Sequence, residues 1–115
     1  MKALFDPILN KLRRDDLETA KQDILNNITL LTGTSTLNFP DTATGLSADL
    51  TMTVSGAVVG DYVVIAPPTG SILANTSYTG WVSASNTVTV RLNNYSAGSA
   101  NPSSGSFKAL VFHNN

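Results

Sequence analysis

From residue 47 onward the chain alternates apolar and polar side chains in short runs separated by turn-forming residues. In SADLTMTVS, Leu50, Met52 and Val54 fall on one side and Thr51, Thr53 and Ser55 on the other. That period of two marks a half-buried strand. GAVVGD reads as a turn in which Gly56 and Gly60 supply backbone freedom. DYVVIAPP is a denser apolar strand that Pro67-Pro68 must end, because proline has no amide to give to a ladder. Residues 69–77 form a polar loop. YTGWVSASNTVTVRLNN is a hairpin connected near Ala84-Ser85-Asn86, its second arm setting Val88, Val90 and Leu92 against Thr87, Thr89 and Arg91. YSAGSANPSSGS is a long loop, and FKALVF a last strand. With STLNF near Phe39, about six strands result, at the spacing of a small antiparallel β-sandwich. The last strand has apolar residues on both sides, so Leu110 and Phe112 require cover from a central position or from a subunit contact.

The first thirty-three residues follow another period. Asp6-Pro7 reads as a helix start, with Ile8, Leu9 and Leu12 on one side; Asp15 with Glu18 three residues on resembles a capping box. Leu17, Ala20, Ile24, Ile28 and Leu31 then recur at intervals of three and four, one apolar stripe of an amphipathic helix. NNITLLTG reads two ways: Asn26-Asn27 end the helix and Ile28 to Leu31 are already extended, or the stripe continues. The expected architecture is mainly β: a helical arm over 1–33, as one bent helix or two short ones, and a sandwich over 34–115. The stripe packs on its own sandwich or on another chain. Its length, and a β domain with apolar residues enough for its own core, favour another chain. The expected interface residues are Leu9, Leu12, Leu17, Ile24, Ile28, Leu31, Leu110 and Phe112.

Charge sharpens the division. Ten of the 15 charged residues lie in the first 33 positions; the other 82 hold only Asp41, Asp49, Asp61, Arg91 and Lys108. Net charge is −1 with no block of one sign, which argues against capture of nucleic acid or an anionic membrane, since both need clustered Lys and Arg. Cysteine is absent, which excludes disulfides, thiolate catalysis and cysteine-based metal sites. No apolar run approaches the roughly 18–20 residues of a helical membrane span. The first residues do not read as a secretory signal, so a cytosol-like compartment, or release by lysis, is expected.

Reactive chemistry is sparse. The one histidine, His113, lies near the C-terminal end and reads as incidental, with no His–Asp pair expected to activate a serine. Asp41, Asp49 and Asp61 sit in separate segments without calcium-loop spacing. No catalytic residue, cofactor or metal is expected. Three Asn-X-Ser/Thr matches at Asn27, Asn75 and Asn94 reflect composition. Trp81 reads first as a buried core anchor, with a sugar-stacking platform of Tyr78 and Trp81 as the alternative.

Three elements occur in order at fixed spacing: Val59-Gly60-Asp61 leading to Pro67-Pro68, WVSASNTVTVR over Trp81 to Arg91, and PSSGSF over Pro102 to Phe107. In these the chain, over about residues 36–112, resembles a module common in tailed-bacteriophage virion proteins. The resemblance implies a β-sandwich worn on the particle exterior, often as a trimer, without catalysis, in a decoration (cement) protein or a fibre. An arm of about thirty residues spans at most about 45–50 Å as a helix. That length suits anchoring to a capsid better than reaching a host. The expected role is therefore an outer capsid decoration protein, a homotrimer bound to the major capsid protein. The alternative is a short fibre or spike with a host- or glycan-binding role through Tyr78, Trp81 and the loop over 93–106.

Overall fold

A computed structural model describes residues 16–23 and 26–115. The chain divides into two compact units, residues 1–29 with 114–115, and residues 30–113.

In the first unit, residues 16–23 and 26–27 are helical. Gln22 Nε2 donates to Asn26 Oδ1 at 3.1 Å, one helical turn on. The C-terminal Asn115 ties the helix end: its amide donates to the Asn27 carbonyl at 2.9 Å, its Nδ2 to the Asn26 carbonyl at 3.0 Å, and its Oδ1 accepts from Thr29 Oγ1 at 2.9 Å. These bonds satisfy carbonyls that the last turn of a helix leaves without partners. Residues 16–23 are exposed along their whole length. Leu9, Leu12 and Ile24 lie outside the described residues.

The sandwich has six strands among the described residues: β1 (Ile28–Leu37), β2 (Ser47–Thr53), β3 (Tyr62–Ala66), β4 (Thr76–Ala84), β5 (Thr87–Asn94) and β6 (Gly105–Asn114). They form two three-stranded antiparallel sheets, ordered β1-β6-β3 and β2-β5-β4. Only β4 and β5 are both consecutive and paired. NNITLLTG takes its extended reading. Ile28 and Leu31 stand on β1, not on a helical stripe, and the strand begins ahead of the boundary expected at Gly33. Its residues alternate exposed and half-buried, because β-branched and threonine side chains suit a pleated surface better than a helix. A Cβ on Gly33 would lie 2.7 Å from the Thr53 carbonyl oxygen. Glycine is what lets β1 approach the end of β2.

The core lies between the sheets. Leu50, Met52 and Val54 point inward, as do Val88, Val90 and Leu92 on β5, Phe107, Ala109 and Val111 on β6, and Val63 and Ile65 on β3. Phe39, Tyr78 and Phe107 form a mutual aromatic triad with centroids 5.0–5.6 Å apart. Tyr78 belongs to this core, its hydroxyl donating to the Ser71 carbonyl at 2.6 Å, and burial raises its pKa. Asn86, at φ 62°, turns the β4–β5 hairpin. It also clamps the turn after β2, since its amide donates to Ala57 O while its carbonyl and Oδ1 accept from the amides of Val54 and Gly56. Buried Asn94 organises the long loop in the same way: Nδ2 donates to the carbonyls of Thr42 and Gly98, and Oδ1 accepts from Ser96.

Candidate functional site

With the inner faces consumed by the core, the outer faces of the two sheets carry what the molecule presents. They differ in kind.

On β2-β5-β4 the strand registers place Ser47, Asn93 and Ser77 in one row, then Asp49, Arg91 and Thr79, then Thr51, Thr89 and Trp81. The rows are joined by polar contacts. Thr89 donates to Ser83 Oγ at 2.7 Å, and Arg91 grips Asp49 with two bonds, Nε to Oδ1 at 2.7 Å and Nη2 to Oδ2 at 2.9 Å. That fork holds the Asp49 carboxyl below the usual carboxylate range and raises Arg91. The Arg91 guanidinium also lies 4.8 Å from the centre of the Trp81 ring, a cation–π contact.

Trp81 is thus not the buried anchor expected. It stands 38% exposed on the outer face, and Phe39, Tyr78 and Phe107 anchor the core in its place. Tyr78 and Trp81 do not form one platform, because residues three apart on a strand point to opposite faces. That parity was readable in the sequence.

On β1-β6-β3 the outer face is apolar at one end and carries Thr32, Thr34, Thr36, Ser106 and Lys108 towards the other. Leu30 (60% exposed), Tyr62 (75%) and Val64 (53%) stand on the edge strands. Between them, on central β6, are half-buried Leu110 and Phe112. Tyr62 pairs directly with Phe112, and Val64 with Leu110. The central position of β6 gives these two residues partial cover from their neighbours, and their inward neighbours Ala109 and Val111 take the full burial. Beside this patch is a 350 Å³ groove lined by Thr32, Thr34, Val64, Ala66, Lys108 and Leu110. Of the outward-facing positions that line it, Ala66 offers little side chain. Among the sequence-predicted interface residues, Leu110 and Phe112 are brought onto one face. Leu31 turns inward against the core, Ile28 is exposed at the start of β1, and Leu17 is 71% exposed on the helix. Leu30, Tyr62 and Val64 were missed. The signal that could have found them is the apolar occupancy of both parities in ITLL and YVVI.

One pair contradicts its sequence reading. His113 Nδ1 lies 2.9 Å from Asp61 Oδ1, so a His–Asp pair exists where none was expected. The facing carboxylate makes Nδ1 the proton-bearing nitrogen. Asp61 also accepts the Val58 amide at 2.9 Å, and that bond, with His113 second, lowers its pKa. The pair fastens β6 to the turn ahead of β3. Among the described residues no three of His, Asp and Glu gather as a metal site. Nor is any described helix long and apolar enough to cross a membrane.

No family model, curated protein or solved structure matches the chain. The likeness to a phage module therefore rests on the three elements quoted from Val59 to Phe107.

Proposed function

We propose that this protein is a structural component of a tailed-bacteriophage virion: an outer capsid decoration protein, non-enzymatic, assembled as a homo-oligomer, with a trimer favoured, and bound to the major capsid protein. The observation that carries the reading is the outer face of β1-β6-β3. Soluble monomers seldom leave contiguous apolar surface open, and such a face is a place for another protein. The inner face of the same sheet already completes the core, so Leu30, Tyr62 and Val64 are not needed to fill it.

The mechanism is additive burial. A specific contact covers about 1,600 Å² in total, and several linked contacts per oligomer hold far more tightly than one. A shell so bridged resists internal pressure without a covalent bond. Imaging intact particles tests this: many copies on the capsid surface are expected, and heads lacking the protein should burst at lower temperature or milder osmotic shock. Heads of equal strength, or particles free of the protein, would overturn the role.

A second reading has its own observation. Trp81 is exposed on the outer face beside Thr89 with Arg91 over its ring, an aromatic and polar grouping of the kind a sugar ring can meet. It predicts a fibre or spike protein, present in few copies, with glycan binding that Trp81→Ala removes.

A further inference from the structure

We infer that the free edge of β1 pairs antiparallel with the same edge of a second copy, across a two-fold axis. This goes beyond the oligomer proposed above, because a two-fold contact joins one oligomer to the next. It rests on that reading only for its place on a virion.

The edges of the two sheets are not alike. One sheet ends in β1 and β3, the other in β2 and β4. An edge strand offers unpaired amides and carbonyls to any extended chain, and soluble proteins blunt it by shortness, proline, charge or a bulge. β3 has five residues and runs into Pro67-Pro68. β2 carries Asp49. β4 changes register between Val82 and Ala84. β1 is the longest edge, and its ten residues, ITLLTGTSTL, hold neither charge nor proline. Among the described residues β6 is its one sheet neighbour, and no residue from 28 to 37 takes part in the backbone bonds of turns and loops.

The make-up of the strand selects its occupant. A second β1 brings no charge to oppose the first, and every copy carries one. Thr32, Thr34 and Thr36 alternate along the outer face and are exposed. Antiparallel pairing centred on Thr32, Gly33 or Thr34 sets threonine opposite threonine, a favourable cross-strand pair. The inward side also has room for a neighbour: Thr29, Leu31 and Ser35 on β1 are only half-buried, whereas Phe107, Ala109 and Val111 on β6 are buried. Main-chain hydrogen bonds hold the contact, up to about ten for strands of this length, so it does not depend on a large apolar area. Using one edge of each copy, the contact closes on itself, and the blunted edges add no further strand.

Three full-chain proteins test this: the wild type and the double variants T32K/T34K and T32E/T34E. Both positions are exposed, so the thermal midpoints should stay close to wild type. Sedimentation should show the wild type associating as concentration rises. Each variant should lose that step, because like charges then meet across the axis. An equal mixture of the two variants should regain it, with one of each in every pair. Amide exchange over residues 28–37 should be slow in the wild type, faster in either variant alone, and slow again in the mixture. Variants that associate as the wild type does, or a mixture that stays apart, would overturn the proposal. So would a wild type that lacks the step or grows into cross-β fibres. Pairing by a protein absent from virions would support the edge contact and remove the capsid role. Decorated capsids on which β1 lies unpaired would do the reverse.

Discussion

The two sheets share one core yet turn opposite chemistries outward. β2-β5-β4 shows hydroxyls, an amide and one Asp–Arg pair laid on a tryptophan, whereas β1-β6-β3 sets Leu30, Tyr62, Val64, Leu110 and Phe112 together at one end, with Thr32, Thr34, Thr36, Ser106 and Lys108 towards the other. Folding needs only the inner faces, and both sheets supply them fully. The polar face is what a solvated sheet looks like when nothing covers it. The apolar one keeps side chains in water at a cost of about 25 cal/mol for each Å² left uncovered.

The sharpest way to break the comparison uses one strand with two faces. Phe107→Ala empties the aromatic triad and should cost about 3–5 kcal/mol in urea unfolding. Phe112→Ala, five residues on and facing outward, should cost the isolated fold about 1 kcal/mol or less while weakening self-association. Equal losses from both would mean that the outer face belongs to the fold.

Next in size is Asn94→Leu. It leaves the carbonyls of Thr42 and Gly98 without their donor and frees the loop after β5. A loss of about 2–3 kcal/mol is expected, with faster amide exchange over residues 95–100. Unchanged exchange there would show that the loop is held by other means.

On the polar face, Trp81→Ala should cost only about 1 kcal/mol, the scale of an exposed cation–π contact and its packing. A loss approaching that of Phe107 would assign the ring to the core after all.

The smallest effect is electrostatic. Asp61 and Asp49 are held below the ordinary carboxylate range by the Val58 amide with His113 and by Arg91 respectively. The unfolded chain therefore takes up protons first, near about pH 4. The stability from these contacts is complete above that pH and drains away as pH falls through the lower folded values. Both groups are well solvated, so the thermal midpoint should shift by little, and Asp61→Asn should flatten the dependence below pH 4. A midpoint that rises on acidification would contradict this assignment.

Much of the sandwich was legible because alternation is a local property. SADLTMTVS and NTVTVRLNN announce their inner faces without reference to anything distant, and Pro67-Pro68 and Asn86 mark their own turns. ITLLTGTSTL was harder. Its apolar residues satisfy both a helical and an extended period, and the strand is decided by β6 lying beside it. The Asp61–His113 pair bridges 52 positions of sequence, and no spacing rule reaches that far.

By itself the sequence determined a charged helical segment ahead of an alternating, nearly uncharged β domain, because periodicity and charge are written residue by residue. Only the tertiary structure decided which apolar residues the core would use and which would remain outside. Burial depends on the order of strands within a sheet and on which sheet lies opposite. For that reason Trp81 came to the surface, Tyr78 went inside, and Leu30, Tyr62 and Val64 met Leu110 and Phe112 on one open face.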